Sequence, residues 1–238
     1  MKPEIIKMGS LYRGGVGPLL PGHRCVDQYF TLGDTSYVRE LEWVKAGRLL
    51  VGTCCACMNV SWTHLDKLGF IFGAPVTIDG KRYLCRSLHI GESEDGHDEW
   101  AALLEAYGKN DSIWHWKKQF FWGQDLPRGD DQAIRFARGY GPALSGTYFA
   151  ANMRDDLVGF RPVLERLEPQ LALTEAAIGK QVDVCCGIVG FKGRLKQFDD
   201  YDVVVSVEDK LPAKIGWAAQ KEQTVTVSRA ADIAIWEV

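Results

Sequence analysis

The chain has 238 residues, 46% of them hydrophobic and 25% charged, with a formal net charge of −3. That length suits one large domain or two smaller ones, and the composition is that of an ordinary soluble globular protein. A pI near 6.0 excludes a global basic field for nucleic acid or an anionic membrane, and no apolar stretch reaches the ~18–20 residues of a membrane span.

The opening MKPEIIKMGS lacks the apolar core of a signal peptide, so the expected location is the cytoplasm or a phage particle assembled there. The following stretch, GSLYRGGVGPLLPGH, is broken by Gly and Pro too often for a helix. Its Gly15-Val16-Gly17 lacks the third glycine of a dinucleotide loop, which argues against a phosphate cradle. Residues Ser36–Lys45 carry Tyr37, Leu41 and Val44 at helical spacing behind a capping residue, which predicts a helix. The apolar GRLLVGTCCACMNVSW predicts a buried strand. Cys54-Cys55-Ala56-Cys57 within it holds a C-x-x-C, but a structural zinc site normally needs a second pair or histidines at ligand spacing. With Cys25, Cys85, Cys185 and Cys186 the cysteines form an odd, scattered set. They read as reduced thiols, and no metal or cofactor is assigned.

In FGAPVTIDGKRYLCRSL, alternating apolar residues flank Asp79-Gly80, a dipeptide made for a type I′ turn, so a hairpin is predicted. The acidic GESEDGHDE departs from the EF-hand pattern and reads as a solvated loop. It leads into Asp98–Tyr107, where Trp100, Leu103, Leu104 and Tyr107 form one helical stripe. In SIWHWKKQFFWGQD, Trp114 and Trp116 stand two apart and suit a strand. Residues 135–156 are rich in Gly, Ala, Ser, Tyr, Asn and Arg, with little apolar periodicity. That composition fits a long, adaptable binding loop.

These pieces resemble, in their order, a group of phage and prophage proteins: Asn59-Val60-Ser61-Trp62, the FGAPVTIDGKRYLCRSL hairpin, DEW, WHWKKQFFWGQ, ARGY and VGFRPVLE. They are similar to the variable proteins of diversity-generating retroelements, with a C-type-lectin fold like that of formylglycine-generating enzymes. The resemblance implies an α+β C-type-lectin-like domain over residues 1–168. It also implies a ligand-facing surface on Arg138, Tyr140, Tyr148, Phe149, Asn152 and Arg154, supported by Trp114 and Trp116. Its closing strand is GFRPVLE, although here the chain runs on. The enzymes' catalytic cysteines have no recognisable counterpart near the C-terminal part of this domain, so that activity is not carried over.

Residues 169–178 read as a linker with a short helix ended by Gly179. From 179 to 238 the apolar residues alternate over about five short strands. Gly193, Leu195, Phe198, Asp199, Tyr201 and Val203 resemble the first motif of Sm, Lsm and Hfq proteins. That implies a small all-β, SH3-like barrel and, through edge-strand pairing, a homo-oligomer. The expected function is non-enzymatic binding of a protein or glycan ligand. No H-E-x-x-H, G-x-S-x-G or P-loop is present, and the pairs Asp130-Asp131 and Asp155-Asp156 have no evident catalytic partner. The alternative is a nucleic-acid- or nucleotide-binding phage accessory protein acting on host RNA or immune signalling, with Lys192, Arg194, Lys196 and Arg229 on phosphates.

Overall fold

A computed structural model describes residues 3–14, 16–25, 29–91, 96–126, 133–211 and 215–238. The acidic loop's residues 92–95, Asp130-Asp131 and Gly15 of the Gly-Val-Gly stretch lie outside the described residues. The first elements are β1 (Glu4–Met8), β2 (Ser10–Arg13), β3 (Val16–Leu19), β4 (His23–Arg24), β5 (Phe30–Gly33), β6 (Leu41–Ala46), β7 (Leu49–Gly52) and β8 (Cys57–Met58). Then come α1 (Trp62–Lys67), β9 (Ala74–Ile78), β10 (Lys81–Arg86), α2 (Glu99–Tyr107) and α3 (Asp111–Trp114). They are followed by β11 (Phe120–Trp122), β12 (Ile134–Gly139), β13 (Gly146–Ala150), β14 (Val158–Phe160) and β15 (Val163–Arg166). After a 3-10 turn at Glu175–Ala177 the chain forms β16 (Gln181–Cys186), β17 (Val189–Phe198), β18 (Asp202–Ser206), β19 (Ala218–Lys221), β20 (Thr224–Ser228) and β21 (Ile233–Glu237).

The expected α+β lectin-like domain is not what forms. Strand takes up 47% of the chain and helix 10%. The difference arises where apolar spacing fits both periods. Tyr37, Leu41 and Val44, spaced four and three apart, fit a helix stripe on paper, yet Leu41 and Trp43 alternate into the core from β6 and Tyr37 is left 88% exposed. Main-chain pairing with β1, from Glu4 opposite Lys45 to Met8 opposite Leu41, overrides the local helical pattern. Trp114 ends the short α3, and the strand starts only at Phe120. The supposed binding loop folds instead largely as the antiparallel pair β12–β13, with Phe136 opposite Tyr148. Gly146 is required there: a Cβ would sit 2.4 Å from the Phe136 ring.

The Asp79-Gly80 hairpin does form, as β9–β10, with φ of 50° and 76° at the turn. Both are positive, as a type I′ turn needs. The Asp98 carboxylate caps α2 by accepting from the Ala101 N–H.

Two compact units result, one of residues up to Lys45 with Leu49–Leu167, the other of Glu168–Val238 with Ala46–Arg48. The first unit contains a sheet ordered β1-β6-β7-β15-β10-β9, a second ordered β13-β12-β11-β14-β8-β4, and a three-stranded β3-β2-β5. All three feed one apolar core, which includes Leu11, Phe30, Trp43, Leu50, Tyr83, Trp122 and Phe160. The second unit is a single sheet ordered β19-β20-β18-β17-β16-β21 around Val182, Leu195, Val205 and Val225. Its end strands are not paired with each other. A half-barrel therefore replaces the expected closed Sm-like barrel. Its long β17 carries a register shift between Leu195 and Gln197 in its pairing with β18, which bends the strand. Among the described residues no helix is long and apolar enough to cross a membrane.

The segment GFRPVLE is two strands, not one. Phe160 pairs with Cys57 in the second sheet, whereas Val163 pairs with Val51 in the first. At the crossing sits Arg161, fully buried. Its guanidinium donates to the main-chain carbonyls of Gly52, Thr53 and Trp114 at 2.7–2.8 Å. It also lies 4.7 Å from the Phe121 ring centre and 5.1 Å from that of Trp100. Burial lowers its pKa, but three acceptors and two ring faces hold the cation in place. Truncation would leave buried carbonyls without donors. Arg161→Ala should therefore destabilise the fold by more than about 3 kcal/mol, and Arg161→Lys by about 2 kcal/mol, since an ammonium cannot span the same acceptors. Urea unfolding checks this, and a loss below about 1 kcal/mol in both variants would contradict it.

Candidate functional site

The residues expected to form one binding surface are divided by the pleat of the second sheet. Successive strand residues face opposite sides, and cross-strand partners share a side. Phe149 meets Phe120 and Trp122 edge-on at 5.2 and 5.9 Å. Tyr140 stacks on Phe120 at 5.0 Å with the rings 7° apart. Phe120, Trp122 and Phe149 face the main core, whereas Tyr140 covers Phe120 from outside and is 44% exposed. Tyr148 lies on the other side, 5.0 Å from Phe136, and stays 45% exposed. Trp114 and Trp116 are buried; the Trp114 indole N–H donates to Gly108 O and its ring meets Trp100. Asn152 and Arg154 are exposed just after β13.

Arg138 shares the Tyr148 side but is engaged in holding the backbone. It donates to the carbonyls of Ile90 and Leu144 and to the Asp98 carboxylate at 2.7 Å, with Phe136 5.5 Å below. The Trp100 indole donates to Ala143 O at 2.7 Å. Arg138 and Trp100 together fasten the turn between β12 and β13, so Tyr148 is presented on a stiff hairpin. The basic residues Lys192, Arg194 and Lys196 are all exposed along β17, but in the second unit. Arg194 donates to Gly179 O, and Arg229 to Asp199 O.

Next to Arg138 stands a group that short-range motifs do not reveal. The segment Ser87–Gly91 runs beside Gly123–Asp125 and beside the start of α2, with bridges Leu88–Gly123 and Ile90–Asp98. His89 Nδ1 lies 2.8 Å from an oxygen of Asp125, whose side chain is wholly buried. The other Asp125 oxygen accepts from the Ile90 N–H. The His89 N–H donates to Glu99 at 2.9 Å, and its carbonyl accepts from the Glu99 N–H. The ring is thus fixed on its Nδ1 side while its side chain remains 34% exposed. The exposed His97 packs edge-on against it, ring centres 5.0 Å apart. Thirty-six positions separate His89 from Asp125, so only the fold joins them.

Glu99 is itself paired with Arg86 through contacts of 2.6 and 2.8 Å, and Arg86 reaches Glu165 at 3.4 Å. Burial alone would raise the Glu99 pKa, but Arg86 and the His89 N–H outweigh it and hold the carboxyl below its ordinary range. Arg86 is raised in turn: burial opposes its charge, and the two glutamates overcome that. The C-x-x-C thiols are poor ligands by comparison, since burial pushes Cys54 and Cys57 up and Cys55 to about 12. None of the cysteines is in a disulfide. Among the described residues no three His, Cys, Asp or Glu side chains form a metal-holding group.

A carboxyl depressed by the fold adds stability above its unfolded value of about pH 4.3, and that stability is lost as pH falls through the folded value. Glu99→Gln should therefore melt well below wild type at pH 7, with the gap narrowing from about pH 5 downward. Thermal melts across pH test this, and a gap that stays constant to pH 3 would contradict it.

Comparison with protein-family models, with curated proteins and with solved structures gave no match to this chain.

Proposed function

We propose that the chain is a phage-associated, non-enzymatic binding protein that recognises a protein or glycan through the Tyr148 side of the β12–β13 pair. One observation carries the reading: a large aromatic, 45% exposed, stands on a hairpin whose turn is fastened by Arg138 and Trp100. A rigid tyrosine loses little entropy on contact and offers both a ring face and a hydroxyl. The resemblance to retroelement variable proteins supports the same tract, residues 135–156, as the ligand-facing one. Homo-oligomerisation through the open end strands of the half-barrel would multiply a weak contact. The location that fits this role is the cytoplasm or the phage particle.

Nucleic-acid or nucleotide binding is the second reading. Lys192, Arg194 and Lys196 are exposed along one strand, which favours it, although pairing of the neighbouring charges moderates the local field.

Binding to a glycan array and to bacterial surface proteins should fall by about 10-fold or more in Tyr148→Ala. Tyr140→Ala, altered on the opposite side of the sheet, and Tyr201→Ala, in the second unit, should bind as wild type. Undiminished binding by a folded Tyr148→Ala protein would overturn the assignment.

A further inference from the structure

We propose that Tyr140 is a stacking platform for single-stranded nucleic acid, taking a base on its outer ring face and the adjoining phosphates on Lys117 and Lys118. The site rests on neither reading above. It is not on the Tyr148 side of the sheet, and it belongs to the first unit, whereas Lys192, Arg194 and Lys196 belong to the second.

The backbone is the first argument. Tyr140 has a φ of 73°, in the left-handed region that a bulky residue enters only where its surroundings enforce it. The enforcement is explicit: the Tyr140 N–H donates to the carbonyls of Trp116 and Gln119, both at 2.9 Å, and its own carbonyl accepts from the Lys118 N–H at 2.9 Å. Glycine would take this conformation without strain. A tyrosine at this point is explained by its ring and not by its backbone.

The second argument is how the ring is presented. It lies flat on Phe120, the planes 7° and the centres 5.0 Å apart. Phe120 is held edge-on by Phe149, and Phe149 by Trp122. One face of Tyr140 is thus backed by a stack that runs into the core. The residue remains 44% exposed, so the opposite face is the one offered to a ligand. Bases stack on such a ring with little regard to sequence, because every base has a π-face.

Charge then selects the ligand. Lys117 and Tyr140 are bridge partners, so their side chains leave the same side of the ladder. Lys118 is joined to Tyr140 through the main chain, which starts a second ammonium next to the ring. Both lysines are exposed. Lys117 reaches Asp111 only at 4.0 Å, with its side chain 67% exposed. A neutral sugar stacks on a tyrosine as well, but two ammonium groups beside the ring favour a ligand that carries phosphates.

Fluorescence anisotropy of labelled oligo-dT with the full chain, at about 50 and about 200 mM salt, tests the site. Saturable binding that weakens as salt rises is expected. Tyr140→Phe should bind as wild type. Tyr140→Gly, which relieves the strained φ, should fold and bind about 10-fold or more weakly. Lys117→Ala combined with Lys118→Ala should weaken binding and flatten its salt dependence. Lys192→Ala, Arg194→Ala and Lys196→Ala combined should leave it unchanged; a loss there with none in Tyr140→Gly would overturn this site and favour the second reading. Should Tyr140→Gly fail to fold by circular dichroism, the lysine pair, altered at exposed positions, carries the test, and wild-type affinity in that variant would count against the site. Absence of saturable binding at the lower salt, or wild-type affinity in a folded Tyr140→Gly protein, would overturn the proposal.

Discussion

The first unit depends on one buried cation. Arg161 occupies the point where the chain leaves the second sheet for the first; its two terminal nitrogens donate to main-chain carbonyls and not to a carboxylate among the described residues, while its buried Nε has no hydrogen-bond partner among them. Those carbonyls belong to the end of β7, the turn after it, and α3. Its ring partners come from α2 and β11. A single planar fork thus links both sheets to the helical segment between them. Only a guanidinium has enough fixed donors for this, and its weak hydration keeps the cost of burial tolerable.

The same logic runs through the candidate surface. Arg86, Glu99, Asp125, Asp98 and Arg138 are polar, but each is committed to a charge or a main-chain group. They form a bracing layer, because an unpaired polar group in such a place would be expensive. Facing outward beside this layer are the Tyr148 ring, packed against Phe136, and the edge-on His89–His97 pair. A surface braced in this way needs little reorganisation on contact with a ligand.

Legibility in the sequence followed the range of the interactions. The β9–β10 hairpin and the capped α2 could be read directly, because Asp79-Gly80 and Asp98 act on neighbours a few residues away. The stretch Ser36–Lys45 misled, because Tyr37, Leu41 and Val44 suit a helix while the pairing of β6 with β1 lies outside the window. Residues 135–156 looked like a loop because half of β13 faces outward and Gly146 makes room for Phe136. Of the expected surface, Tyr148 and Arg138 share one side with Phe136, whereas Tyr140 and Phe149 lie on the other. The His89–Asp125 contact carries no local signal at all.

Amide hydrogen exchange measures the central claim most directly. If Arg161 binds the two sheets and α3 into one cooperative body, the amides of Gly52, Thr53, Phe160 and Trp114 open only with that body. Their exchange free energies and denaturant dependence should match those of the slowest amides in β6 and β10. Exchange of the Gly52–Thr53 or Trp114 amides by separate, denaturant-independent openings of much lower free energy would contradict the account.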